Sequence, residues 1–345
     1  LLERGCFHAA AFIFIVSLAA CGGDRAPDGE ASAPAERRVA TARWDTLWTV
    51  GGGLQDSILL QPWRLAASGD RVYVFDGAAA RLLAFSARDG AVVWMSGRKG
   101  SGPGEFKMVR DLEVGPEGRP MLLDVGNGRI TTLEGNGAVH RQTRLVNVGY
   151  VDQFAPLPDG RAVLLTQHPD SALAVTDTSG EIVQRLGLPW KEFADLHPLV
   201  RQGNLASGGD GRWAFGFGLG DGWFGFSGTE PDGGKRPYIE RAEFPQVVEK
   251  REGGTLTTQL ASYTPCSACS MTIDGTDFYV LFGGRTDNRH AVLDRYDLRM
   301  GRYRESLVLP AKTTEAAVAG GTFFLLVEDP APTLLALRPV PSTAR

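Results

Sequence analysis

Hydrophobic positions along this chain fall in short bursts separated by turn-forming residues, and the 3.6-residue spacing of amphipathic helices is almost absent. Residues 71–97, RVYVFDGAAARLLAFSARDGAVVWMSG, hold three apolar runs with one turn at Gly77 and another at Asp89-Gly90. Asp-Gly supplies the positive φ of a tight hairpin, so the stretch predicts an antiparallel meander. The same order of strand, glycine turn and strand returns at residues 113–145 and 156–188. More worn copies begin at Leu205, at Ser270 with His290, and at Ala316. Counting entry strands gives six units, spaced at roughly 40 to 65 residues, the wider intervals holding inserts.

Four-stranded repeats of this length predict an all-β six-bladed β-propeller over residues 43–345. The glycine-rich stretch GRKGSGPGEF, residues 97–106, then falls where the chain crosses from the outer strand of one blade to the inner strand of the next. Glycines permit the unusual backbone angles of that path, Pro103 stiffens it, and Phe106 plugs between the blades. The last unit stops after three strands near Leu337, while RWDTLWTVGG, residues 43–52, is a strand without a unit. It has the look of an exit strand such as VVWMSG, and the expectation is that it completes the sixth blade and removes an exposed edge.

At GSGPGEF, GDRVYVFD and LLDVGNGRITTLE the sequence resembles the NHL-type six-bladed β-propellers, whose repeats carry a G-x-G-P-G-x-F linker, G-x-x-Y-V-x-D and N-x-R-I. The resemblance is good in the first two blades and weak from residue 200 onward. It implies the propeller fold and no single function, since such folds serve both as binding scaffolds and as enzymes.

The first residues differ in kind. Ala9 to Ala20 is an apolar run too short to span a bilayer comfortably and of the length of a signal-peptide core. It ends in Leu18-Ala19-Ala20-Cys21, which resembles a bacterial lipoprotein box, implying a signal peptide over 1–20 and a lipidated Cys21. Residues 21–42, rich in Gly, Pro, Ala and mixed charge, read as a flexible tether. The expected location is the cell envelope, outside the cytoplasm, with the membrane reached through the lipid anchor. Where a cell has two membranes that means the outer membrane or the periplasmic face, and Gly22 in place of an Asp favours the outer one.

A net charge of -4 and basic runs no longer than pairs such as Arg37-Arg38 exclude nucleic acid as the expected partner. Aligning the units on their first turn places Arg64, Asp111, Gln153, Asn204, Ser270 and Glu315 at one mouth of the central channel, with Arg110 and Asp152 beside them. This ring is polar and mixed in sign, which suits a polar solute or a peptide loop. The alternative, a metal-dependent propeller hydrolase or lyase, needs several carboxylates and amides converging on a hard cation, and Arg64 would repel one. No metal, cofactor or catalytic residue is assigned.

Cys266 and Cys269, in PCSACS, remain as a pair once Cys6 and Cys21 are set aside. In a straight strand their Cα atoms would lie about 10 Å apart, beyond disulfide reach, so a disulfide requires the segment to turn. Pro265 and two small residues make that easy, and a structural disulfide is expected. Haem attachment would need a histidine where Ser270 stands, and catalytic redox use would want a helix N-terminus. GFGLGDGWFG, residues 216–225, leads into aromatic strand residues, so it predicts a hairpin with Trp223 and Phe224 packed between blades, not a phosphate loop. The five histidines, His8, His140, His168, His197 and His290, lack ligand spacing, which predicts surface or loop roles.

Overall fold

The computed structural model describes residues 36–40, 43–53, 58–168, 171–252, 255–262, 265–283 and 289–340. The expected signal peptide, Cys21 and the tether up to residue 35 lie outside the described residues.

Six four-stranded antiparallel units stand around one axis. Blade 1 is Pro62–Ser68, Arg71–Asp76, Arg81–Ser86 and Val92–Ser96. Blade 2 runs Val109–Val114, Pro120–Asp124, Arg129–Leu133 and Val139–Arg144, and blade 3 Val151–Pro156, Ala162–His168, Ser171–Thr176 and Ile182–Leu186. Blade 4 is Gly203–Ser207, Arg212–Phe217, Trp223–Ser227 and the short Glu230–Pro231, and blade 5 is Ala268–Asp274, Asp277–Phe282, Val292–Asp297 and Tyr303–Val308. Blade 6 is Glu315–Ala319, Thr322–Val327 and Thr333–Val340, with Arg43–Gly51 antiparallel to its third strand as the fourth. Every innermost strand touches its two neighbours, including that of blade 6 against that of blade 1, so the ring is closed. The six-bladed propeller and its closure by the N-terminal strand are therefore as the sequence predicts.

The hydrophobic core is divided. Six clusters of buried side chains each lie between one pair of neighbouring blades. Successive side chains of a strand point to opposite faces, so Val72 and Val74 join the cluster toward blade 6 while Tyr73 and Phe75 join the one toward blade 2. A strand buried on both faces reads as a continuous apolar run, which is why RVYVF and LLAF show no polar alternation.

Between blades 1 and 2 the residues of the repeat motif hold one another in place. Phe106 is fully buried, edge-on to Phe75 with ring centres 5.7 Å apart. A side chain at Gly97, where φ is +106°, would run into the Phe106 ring. The Asn127 amide donates to the Gly100 carbonyl at 3.0 Å, and Arg129 donates to the carbonyls of Gly102 (2.7 Å) and Glu105 (2.8 Å). The N-x-R-I residues of blade 2 thus clamp the glycine linker that enters it.

The outer strands are locked by tryptophans. Trp94 of blade 1 donates its indole N–H to the Gly135 carbonyl of blade 2 at 2.7 Å, and Trp48 of the closing strand donates to Ala87 of blade 1 at 3.0 Å. Each indole lies against a hairpin glycine of the next blade: a Cβ at Gly137 would come within 2.8 Å of Trp94, and one at Gly90 within 2.7 Å of Trp48. The likeness of RWDTLWTVGG to VVWMSG is this shared role.

Residues 36–40 are described and lie on the ring, although their composition reads as tether. Val39–Ala40 pairs in parallel with the outer strand of blade 5. Arg37 donates to both oxygens of the buried Asp294 at 3.1 and 3.0 Å, reaches Glu240 at 2.6 Å, and covers the Phe282 ring. An insert between blades 4 and 5 forms the hairpin Val247–Glu252 with Thr255–Leu260. Trp223 and Phe224 are fully buried, as the hairpin reading requires. No helix among the described residues is long and apolar enough to cross a membrane.

Candidate functional site

Residues within the first three positions of the six inner strands converge where the sequence places them. Arg64, Asp111, Gln153, Asn204, Ser270 and Glu315 line one cavity at the mouth of the channel. Its volume is about 40 Å³, room for water and little else. The small size has a cause, because each ring residue bonds the next blade.

Arg64 of blade 1 donates to the Arg110 carbonyl of blade 2 at 2.8 Å. Asp111 of blade 2 accepts from the Phe154 amide of blade 3 at 3.0 Å. Gln153 donates to Asn204 at 3.0 Å and accepts from the Leu205 amide of blade 4, and Asn204 donates to the Ala268 carbonyl of blade 5 at 2.8 Å. Ser270 donates to Glu315 of blade 6 at 3.0 Å and accepts from the Ala316 amide at 3.3 Å. Glu315 then pairs with Arg64, returning to blade 1. The belt passes through every blade, and the polar groups that burial would penalise are satisfied by one another.

One guanidinium faces three carboxyl groups here. Arg64 lies 3.7 Å from Asp111 and in direct contact with Glu315; burial opposes its charge, and these two carboxyl groups outweigh that cost. Burial pushes the Asp111 carboxyl up to about 7, with the pull of Arg64 opposing it. Glu315 is raised by burial more than Arg64 and Ser270 lower it. Glu113, two residues beyond Asp111 on the same strand face, is pushed well above the ordinary range by burial and by the carboxylates of Asp111 and Glu315. Glu113 lines both the small cavity and a wider one of about 380 Å³ at the other end of the channel, walled by hairpin turns such as those at Gly115, Gly208 and Gly320. Sequence reasoning passed over it, although the period of two from Asp111 points it at the lumen.

Arg110 and Asp152 stand outside the belt, 4.0 Å apart, with the Tyr150 hydroxyl donating to Asp152 at 3.2 Å. Arg110 also walls a groove of about 350 Å³ between blades 1 and 2, with Trp63, Phe75, Phe106, Lys107 and Met108. Large apolar side chains are exposed around it: Trp63 at 43%, Met108 at 53%, and, through Arg110, Tyr150 at 44%. Two fully buried aspartates set the segments that lead into Trp63 and Met108. Asp76 accepts from the amides of Leu60 (2.9 Å) and Gln61 (3.2 Å), and Asp124 from those of Lys107 (3.1 Å) and Met108 (2.9 Å). These are the aspartates that close RVYVFD and PMLLD, so the repeat motif that builds the blade also fixes the rim.

Cys266 and Cys269 form a disulfide, with Cα atoms 5.6 Å apart because the segment turns. His290 is not isolated, as its spacing suggested: its Nε2 lies 3.8 Å from the Cys269 sulfur. Among the described residues, Cys266, Cys269 and His290 are the set of three His, Cys, Asp or Glu side chains whose ligand atoms gather within 4.8 Å of one another. The channel carboxylates do not form such a set.

Fold and rim together define a closed six-bladed propeller with a sealed channel mouth and an apolar groove beside it. A family described as a six-bladed β-propeller matches residues 54–148. In three dimensions the chain is similar to a candidate exported protein from Bacteroides fragilis (12% identity, 88% of this chain and 96% of that one, TM-score 0.52). It is also similar to virginiamycin B lyase from Staphylococcus aureus (12% identity, 86% and 100%, TM-score 0.51). At these identities the likeness concerns the fold. No curated protein sequence matches the chain.

Proposed function

We propose that this chain is a lipid-anchored binding module of the cell envelope, whose partner is a segment of another protein that docks on the rim groove of blades 1 to 3. The observation that carries this reading is the exposed set Trp63, Met108 and Tyr150 beside Arg110 and Lys107, with the segments leading into Trp63 and Met108 fixed by the buried Asp76 and Asp124. Tryptophan, tyrosine and arginine dominate binding energies at protein interfaces, and loops already ordered lose little entropy on docking. The channel belt supports the same division of labour. Its side chains are committed to one another, so contact with a partner passes to Arg110 and Asp152 at the edge. The NHL-type reading of the repeats rests on the linker clamp of Asn127 and Arg129, and the envelope location rests on Leu18-Ala19-Ala20-Cys21.

A photo-crosslinking side chain placed at Trp63 or Tyr150 in intact cells is expected to capture a defined protein band. The same probe at Val183, exposed at 56% on the outer strand of blade 3, should not. Once the partner is in hand, Trp63→Ala should weaken binding roughly thirtyfold, the equivalent of about 2 kcal/mol at an interface hot spot. Equal capture at Val183, or none at the rim, overturns the docking site. Separately, Cys21→Ser should move the protein from the membrane fraction to the soluble fraction, and an unchanged distribution overturns the anchor.

A further inference from the structure

Beside the channel belt, outside the rim groove, sulfur and imidazole meet with an orientation that a structural disulfide does not require. Cys266 lies in the turn that enters blade 5, Cys269 at the start of its inner strand, and His290 in the connection before its third strand. The His290 Nδ1 lies 3.1 Å from the carbonyl oxygen of Thr313, and a carbonyl only accepts. Nδ1 therefore carries the proton, and the lone pair of Nε2 faces the sulfurs. The backbone of His290 is pinned on both sides, its amide to Phe282 at 2.7 Å and its carbonyl to the amide of the buried Thr313 at 2.8 Å, at a φ of +63°. Gly283 leaves the space in which the sulfurs sit: a Cβ there would strike both, with Cys266 Sγ at 2.5 Å.

We infer that the reduced form of this turn is a metal site, in which Cys266, Cys269 and His290 bind a thiophilic divalent ion of the zinc class and leave its fourth position to water. The spacing C-x-x-C with a histidine from a second segment is a zinc donor set, and a ring N–H held by a backbone carbonyl is the usual outer support of a metal-binding imidazole. At bond lengths of about 2.3 Å to sulfur and about 2.0 Å to nitrogen, a tetrahedral ion separates sulfur from nitrogen by roughly 3.5 Å. The Nε2 to Cys269 distance of 3.8 Å is already close to that. No carboxylate belongs to the set, which favours a soft or borderline ion over calcium or magnesium.

The disulfide is the oxidised, metal-free state of the same residues. A dithiol reductant supplies two electrons and two protons: the S–S bond breaks, two thiols form, and the reductant closes its own disulfide. Binding of the ion then releases both protons, because the thiolates are the ligands. All three residues are partly exposed, so reductant and ion reach them. This inference stands apart from the rim groove and survives if that reading fails.

The test is zinc binding by the whole folded chain, reduced with a water-soluble phosphine, freed of reductant without oxygen, and titrated with zinc against a chelating dye. The reduced chain should take one equivalent of zinc and the disulfide form none. Cobalt in place of zinc should give thiolate-to-metal charge-transfer absorption and tetrahedral visible bands. His290→Asn, which tolerates the positive φ, should weaken zinc binding at least tenfold, and alkylation of the two thiols of the reduced wild type should abolish it. A disulfide that resists the phosphine in the folded protein overturns the inference. So does a reduced chain that binds no zinc, an oxidised chain that binds it equally, or a His290→Asn variant that binds as tightly as the wild type.

Discussion

Asp111 sits where two demands conflict. Its Oδ2 must accept from the Phe154 amide to join blades 2 and 3, yet its burial beside Glu113 and Glu315 penalises the charge that would strengthen that bond. With a folded value of about 7 against an ordinary 3.8, the folded chain keeps a proton that the unfolded chain has released between those limits. The stability contributed by this group is thus full below about 3.8 and is lost as pH rises to about 7. Asp111→Asn keeps the acceptor and removes the titration. The thermal midpoint of the variant relative to the wild type should therefore rise from pH 4 to pH 7 and level off above. A flat difference across that range counts against a protonated Asp111. The belt positions were legible because each opens an inner strand at the same place in a repeat. Glu113 was legible too, by the period of two from Asp111 along the same strand; His290 was not, since nothing local marks an imidazole 3.8 Å from a sulfur contributed 21 residues earlier in the chain.

At the scale of elements, the seam between blades 6 and 1 copies the one between blades 1 and 2. Trp48 and Trp94 make the same bond to the blade that follows, each against the glycine of a hairpin. They differ in burial, Trp48 being buried and Trp94 half-buried, and in what holds the strand: Trp94 is continuous with its blade, whereas Trp48 belongs to a strand brought from the start of the chain. Removing a buried tryptophan costs about 3 to 5 kcal/mol. Trp48→Ala should lower the unfolding midpoint in denaturant more than Trp94→Ala, and in Trp48→Ala the amides of Arg43–Gly51 should exchange with deuterium well before the rest of blade 6. Similar losses in both variants, with protected amides, would mean that closure does not depend on Trp48. The hairpin elements could be read from Asp-Gly and Asn-Gly turns because that chemistry is local. The outer edge of blade 4 could not. Its strand is only Glu230–Pro231, followed by a single bridge between the backbones of Trp223 and Arg236, and the Arg236 side chain carries the edge across, donating to the carbonyls of Leu298 (2.6 Å) and Arg299 (2.8 Å) in blade 5 while stacking on Trp223. No window of sequence shows a bond made across that separation.

In the whole molecule, six cores replace one, and each blade is stabilised only by its neighbours. Such a ring is only as secure as its single non-covalent joint, and the belt of Arg64, Glu315 and Ser270 reinforces that joint from the inside while Trp48 and Trp44 do so from the outside. The propeller was legible because its period recurs even where single motifs have worn away. The rim groove was not, because it is assembled from segments of different blades.

The grip of Arg37 on Asp294, Glu240 and Phe282, with Val39–Ala40 laid along blade 5, has a mechanical meaning. Tension entering from the N-terminal side meets this clip before it meets the nine residues that seal blade 6. A chain tugged from that end is thereby spared the peeling of its own last sheet.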